Sequence, residues 1–197
     1  MRIVFAVCAA LLLSTAAPSV AATPAQDGAP ASRAPQTRAQ RLDALFASLK
    51  RERNEKAAER IAGQIFEEWN HSGSASIDLM MQWSQKAIED KKYAVALDFL
   101  DEIVTLQPTY AEGWNRRATL HYLMKNYAKS MADIDRTLQL EPRHFGAISG
   151  LAQIMADTGR KQQALEAWQR VLDIYPMLRN AQDQVAALSE KLAGEGI

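Results

Sequence analysis

Three histidines, His71, His121 and His144, and one cysteine, Cys8, are the side chains of this 197-residue sequence best suited to bind a metal or move a proton. A metal site needs several ligands converging at set spacings, and a nucleophile needs a base beside it. No histidine falls in an H-E-x-x-H spacing or a duplicated Glu-x-x-His pair, and no glycine-rich phosphate loop occurs. His71 stands before Ser72 and Gly73 and reads as a helix end, where a cation is favoured. His144 follows Pro142 and reads as a linker residue, and the carboxylates read mostly as solvated helix faces. Trp69, Trp83, Trp114 and Trp168 could build an aromatic platform for a sugar, but their spacing among apolar residues reads as core packing at all four. The chemistry-bearing residues therefore predict no catalytic centre, no cofactor and no metal.

Composition narrows the field further. With 23 basic and 23 acidic side chains the formal charge is zero, which argues against nucleic acid or an anionic membrane as partner, since both select a basic surplus. The N-terminal segment 1–22, "MRIVFAVCAALLLSTAAPSVAA", places Arg2 before an apolar run from Ile3 to Leu13 and ends in small residues. That is the pattern of a signal peptide, with cleavage expected after Ala21 or Ala22. Cys8 lies inside the run rather than behind it, unlike an acylated cysteine, and its removal would leave a mature chain without cysteine. Residues 23–37 hold prolines and small polar residues with too little apolar surface to order themselves, and read as a disordered tether.

The elements that would position any site follow from the prolines. Pro108, Pro142 and Pro176 recur at one constant interval, and proline stops a helix by lacking the N–H and displacing the preceding residue from the α region. Aligning 77–110, 111–144 and 145–178 exposes a repeat. Its fourth position is large and apolar (Met80, Trp114, Ile148), and its eighth is small (Ser84, Ala118, Ala152). The twentieth is small again (Ala96, Ser130, Ala164). Apolar residues recur at intervals of three and four, so each unit predicts two amphipathic helices around a short turn: "EDKKY", "LMKNY" or "DTGRK". Two flanking stripes, one with Leu42, Phe46 and Leu49 and one with Ile61, Ile65 and Trp69, predict a degenerate helix pair over 38–76 that caps the N-terminal end. Leu178, Ala181, Val185, Leu188 and Leu192 predict a capping helix within 179–197.

This pattern resembles the tetratricopeptide repeat, a helix–turn–helix unit of about 34 residues. The likeness is best in 111–144, with Trp114, Ala118, Tyr127, Ile134 and Pro142. Departures include Arg117 for the usual leucine and His121 for the usual tyrosine, which makes His121 a core-packing residue. The resemblance implies an all-α fold, a right-handed α-solenoid of antiparallel helix pairs. It also implies a concave groove lined by the first helix of each unit. Carried over by position, the groove floor would hold Met81, Gln85 and Ile88, then Asn115, Arg116, Thr119 and Tyr122, then Gly146, Ser149, Gln153 and Ala156. Asn115 and Arg116 are suited to a peptide backbone and a carboxylate, with Tyr122 alongside. The carboxylate-clamp members of the family, which bind chaperone C-termini, require basic and Asn residues where this chain has Met81, Gln85, Arg116, Gly146 and Gly150. No such clamp is expected.

The function this implies is a non-enzymatic protein–protein scaffold of the bacterial cell envelope, periplasmic or secreted, holding a peptide or partner helix in its groove. A second reading keeps the fold and retains segment 3–22 as a membrane anchor for an assembly factor. An enzyme would require a site outside every motif above.

Overall fold

The computed structural model describes residues 36–195. The signal-peptide expectation and all but the last two residues of the expected tether lie outside them. The described residues form nine helices and no strand: α1 (Arg38–Arg51), α2 (Glu55–Asn70), α3 (Ala75–Glu89), α4 (Tyr93–Leu106), α5 (Ala111–Leu123), α6 (Tyr127–Leu140), α7 (Phe145–Asp157), α8 (Lys161–Ile174) and α9 (Arg179–Glu195).

Thr37 caps α1 in a reciprocal box: its side chain accepts from the Gln40 N–H at 3.2 Å and its own N–H donates to Gln40 Oε1 at 2.9 Å. Helices α4, α6 and α8 open at Tyr93, Tyr127 and Lys161, with the same constant interval as the prolines. Within each pair the chain turns through one left-handed residue at the same place: Lys91 (φ 59°), Lys125 (φ 61°) and Gly159 (φ 77°). The residue after each donates its N–H back into the preceding helix, Lys92 to Ala87, Asn126 to His121 and Arg160 to Met155, each at 2.8 Å. This is a repeated Schellman turn. Only the third copy has the residue that adopts it without steric cost.

The small residues of the repeat lie at the crossings of paired helices. Ser84, Ala96, Ala118, Ser130, Ala152 and Ala164 are all buried, and Ser130 Oγ donates to the Ala118 carbonyl at 2.8 Å across the α5–α6 contact. Successive pairs also stack tightly. A Cβ on Gly113 would come within 2.8 Å of Ile103 Cγ2 of the preceding pair, so only glycine fits there.

The N-terminal pair departs from its expected place. Leu42, Phe46 and Leu49 of α1 and Ala58, Ala62, Ile65 and Trp69 of α2 share one core with Phe145, Ile148, Ala152, Trp168, Val171 and Tyr175, and with Ala181 and Leu188 of α9. The core of α3 and α4, built on Ile77, Met81, Leu100 and Ile103, is separate and contains no α1 or α2 residue. The hairpin therefore folds back on the last pair instead of capping the first. Arg143 holds it there, ion-paired to Asp43 at 2.7 Å with its guanidinium 4.2 Å above the Phe46 ring. Two tryptophans also depart from expectation. Trp69 and Trp168 are buried, but Trp83 is 48% exposed, and half-buried Trp114 lies beneath Arg117 at 4.8 Å.

Candidate binding groove

The first helices α3, α5 and α7 carry the groove residues inferred from the resemblance; most of these gather in two depressions, and Ile88, Ser149, Gln153 and Ala156 line neither. The larger, about 480 Å³, lies between α3, α5 and the end of α2, lined by Met81, Gln85 and Arg116 with Asp78, Lys86 and Glu89. Asn70 and His71 supply its wall from the hairpin. The smaller, about 90 Å³, lies between α5 and α7 and takes in Asn115, Thr119 and Tyr122 with Gly146 and Gly150. Gln153 joins this second group through Asp157, whose two oxygens accept from Gln153 Nε2 and the Tyr122 hydroxyl, each at 2.8 Å. Burial and this carboxylate push the Tyr122 phenol up to about 12.

The groove closes toward one end. Phe66 of α2 stands edge-on to Phe145 at 5.1 Å, and a Cβ on Gly146, an expected floor residue, would lie 3.9 Å from the Phe66 ring. Trp69 stacks on His144 with ring centroids 3.9 Å apart and planes 8° from parallel. Tyr110 donates its hydroxyl to the Asn70 carbonyl at 3.0 Å. The hairpin thus lies across the starts of α5 and α7 and leaves the α3–α5 side open.

Beneath this contact is a polar cluster that motif reasoning missed. Glu112, expected on a solvated face, is 3% exposed and accepts from Asn115 at 3.0 Å, Arg116 at 3.1 Å and His144 Nε2 at 3.0 Å. His144 is fully buried, and its Nδ1 accepts the Ala147 N–H at 3.1 Å, capping α7. Nδ1 is therefore the unprotonated nitrogen, and Nε2–H is the donor to Glu112. Burial alone would raise the Glu112 pKa, but the hydrogen bond from His144 and the nearby Arg116 guanidinium hold it below the ordinary carboxylate value. The two ends of this pair lie 32 residues apart, at opposite ends of one unit of the repeat, which is why no local motif announces them.

The cluster changes what the groove can recognise. Arg116 directs one arm to Glu112 and donates through another to Gln85, and Asn115 is likewise committed to Glu112. Part of the donor capacity expected to meet a ligand is thus already engaged by a buried anion and by Gln85. The open floor is close to neutral, amide-rich and partly apolar. Gln82 lies exposed along it, and the exposed Thr119 of α5 lines the smaller depression.

A second buried charge group joins α4, α5 and α6. Asp133, 5% exposed, accepts both arms of Arg117 at 2.9 and 2.7 Å, and Arg117 also reaches Asp101 at 2.8 Å. Beside it, His121 is buried as its core-packing position implies. Burial lowers its pKa against the pull of Asp133. Among the described residues, no group of three or more His, Cys, Asp or Glu side chains is placed to hold a metal ion.

No protein-family model matches this chain. Individual proteins do. A TPR repeat-containing protein of Rhizobium etli is 60% identical over 155 residues, covering 79% of this chain and 76% of that protein. The small glutamine-rich tetratricopeptide repeat-containing protein 2 of Saccharomyces cerevisiae is 31% identical over 117 residues, 59% of this chain but only 34% of the yeast protein. Among solved structures, the first TPR of Spaghetti bound to the HSP90 peptide SRMEEVD matches with a TM-score of 0.56 at 20% identity, over 59% of this chain and 93% of that one. MamA matches with a TM-score of 0.56 at 15% identity, over 71% and 79%. These neighbours share the α-solenoid, a fold used as a protein-interaction scaffold. With the constant period, the small residues at each crossing and a relative 60% identical over most of both lengths, the chain belongs to the tetratricopeptide-repeat family.

Proposed function

We propose that this protein is a non-enzymatic scaffold of the bacterial cell envelope that holds an extended peptide or a partner helix along the open side of its groove, between α3 and α5. The observation that carries this is the depression of about 480 Å³ itself, which sets the side chain of Met81 beside the amide of Gln82. The exposed Thr119 continues this polar edge along α5. Such a lining suits backbone hydrogen bonds and one or two apolar anchors better than a charged terminus. Gly146 and Gly150 stand where clamp members place basic residues, and Arg116 is neutralised by Glu112. Both features favour a neutral segment over an acidic chaperone tail. The signal-like leader supports the envelope as the compartment.

The test is photocrosslinking in intact cells from a reactive residue placed at Gln82 or Thr119, with Lys129, exposed on α6, as the control position. The expected result is one and the same envelope protein captured from both groove positions, lost on Gln85→Ala at unchanged helicity and absent from position 129. Capture from Lys129 alone would overturn the groove assignment. The mass of the mature chain tests the compartment: loss of the segment ending at Ala21 or Ala22 supports export, and an intact leader favours the anchored reading.

A further inference from the structure

Among the described residues the large exposed apolar side chains are unevenly spread: Leu79, Trp83, Val95 and Leu106 lie on α3 and α4, and only Phe66 and Leu123 lie elsewhere. Leu79 and Trp83 are four apart on α3, Val95 and Phe99 four apart on α4, and the Trp83 and Phe99 rings meet at 5.6 Å. These two pairs thus form one patch.

The repeat says what this patch is. One period on, the same positions hold Gly113, Arg117, Lys129 and Asp133. There Gly113 is packed against Ile103 of the preceding pair, and Arg117 joins Asp133 to Asp101 of α4. Two periods on, Ala147 and Leu151 pack with Ile134 of α6. Leu79, Trp83 and Phe99 therefore occupy the stacking face that a preceding pair covers in every later unit. In this chain the hairpin that could cover it lies on the last pair instead. The copy left in water is wholly apolar, while the first covered copy carries the Arg117–Asp133 pair, the reverse of what solvation alone would select between these two. Leu79, Trp83 and Val95, 42%, 48% and 45% exposed, leave on the order of 300 Å² of apolar surface, the scale of the largest patch on a typical monomer, which is often functional.

We propose that this face pairs with the same face of a second copy, α4 antiparallel to α4, as a twofold dimer. Two observations select this occupant. Head-to-tail stacking would set Trp83 against α9, whose exposed residues include Arg179, Asp183, Ala186, Ala187, Glu190 and Lys191. That surface offers no large apolar group to match it. The patch itself is the matching surface, and closed pairing of like surfaces is the isologous arrangement. Charge agrees. α4 is preceded by the exposed Lys91 and by Lys92, which also pairs with Asp90 of its own chain at 3.3 Å, and turns acidic at the exposed Asp98 and Glu102. An antiparallel pair therefore lays each basic end over the partner's acidic stretch. This face is distinct from the groove, so the dimer stands or falls independently of the partner proposed above.

Sedimentation of the full chain over about 1 to 500 µM, a range in which a weak dimer declares itself by mass action, is the test. The decisive variant is Trp83→Arg/Phe99→Asp, which installs the pair that positions 117 and 133 already carry, so it should remain folded. The expected result is a concentration-dependent dimer for the parent, with association at least about 100-fold weaker in the variant at unchanged helicity, and no change for Leu123→Glu. Glu102→Lys should also weaken the dimer, and Lys92→Glu/Glu102→Lys should restore it. A parent that stays monomeric across the range overturns the proposal, as does a dimer that survives Trp83→Arg/Phe99→Asp. Weakening by Glu102→Lys without recovery in the double variant overturns the antiparallel arrangement.

Discussion

The two ends of the solenoid are made from the same repeating unit and meet water differently. At the C-terminal end, α7 and α8 are sealed by α9 on one side and by the α1–α2 hairpin on another, so Trp69, Phe145, Trp168 and Tyr175 are all buried. At the N-terminal end, α3 and α4 have no neighbour among the described residues on their outer face, and Trp83 stands half in water. The difference teaches that a helix pair with an apolar stripe is not committed to the end nearest it in sequence. It goes where the complementary polar and aromatic groups are, and here His144, Arg143 and Phe145 gather them at the far end.

Paired tryptophan substitutions break this comparison most sharply. Trp69→Ala removes a buried ring stacked on His144 and should cost about 4 kcal/mol, in the range for excising a buried aromatic. Trp83→Ala in the monomer should cost well under about 1 kcal/mol, as for a surface site away from packing or caps. Urea unfolding of both, at concentrations low enough to keep the chain monomeric, measures the contrast. Equal costs would mean that the hairpin is not docked as described.

The Glu112 cluster should be next in size. Glu112→Ala leaves the His144 Nε2–H and the Arg116 guanidinium without their buried acceptor, a loss of about 3 kcal/mol. The same carboxylate gives the fold a pH dependence of known sign. Its folded pKa lies below the ordinary 4.5, so its contribution is complete above that value and is lost as pH falls through the lower folded value. Urea midpoints of the parent should therefore drop between pH 5 and pH 3 more steeply than those of Glu112→Gln.

What was legible in the sequence follows the constraints that repeat. Proline and the small residues at Ser84, Ala118 and Ala152 mark places where the backbone itself is restricted or closely approached, so they recur at a fixed interval and disclose helix, turn and pairing. The positions that the resemblance assigns to the groove are carried from unit to unit by the same period. Three things were not. The hairpin's stripe of Leu42, Phe46, Ile65 and Trp69 is equally apolar whichever end it serves, and nothing local states its destination. The Glu112–His144 bond joins a residue read as part of a solvated face to one read as a linker, and the bonds that Asn115 and Arg116 make to the same carboxylate are equally silent in the sequence. The exposure of Trp83 depends on what packs against α3 from outside it, which no residue of α3 encodes.

A third substitution tests the stacking between units. Gly113→Ala would put a methyl 2.8 Å from Ile103 Cγ2 and 3.1 Å from Tyr110 Cδ1, and should cost about 2 kcal/mol by overpacking the α4–α5 contact. The equivalent residue of the first unit is Leu79, 42% exposed, and Leu79→Ala should shift monomer stability by less than about 0.5 kcal/mol. Thermal unfolding of the two reads the open face against the covered one directly.

The smallest effect lies in the turns, where the units are most alike. Lys91, Lys125 and Gly159 hold the same left-handed conformation, which costs an L residue about 1 kcal/mol and glycine nothing sterically. Lys91→Gly and Lys125→Gly each relieve that strain but add entropy to the unfolded chain, so a net gain of about 0.5 kcal/mol is expected from each, with Gly159→Ala losing about 1 kcal/mol. Tm measures all three. The informative comparison is between the two lysines, because their turns have the same geometry and differ in what lies outside them. If the open end frays before the rest unfolds, Lys91→Gly should raise the protection of α3 and α4 amides against hydrogen exchange while adding less than Lys125→Gly to global Tm. Equal gains from both would place the two ends in one cooperative unit, with the exposed face of α3 and α4 as firmly folded as the sealed one.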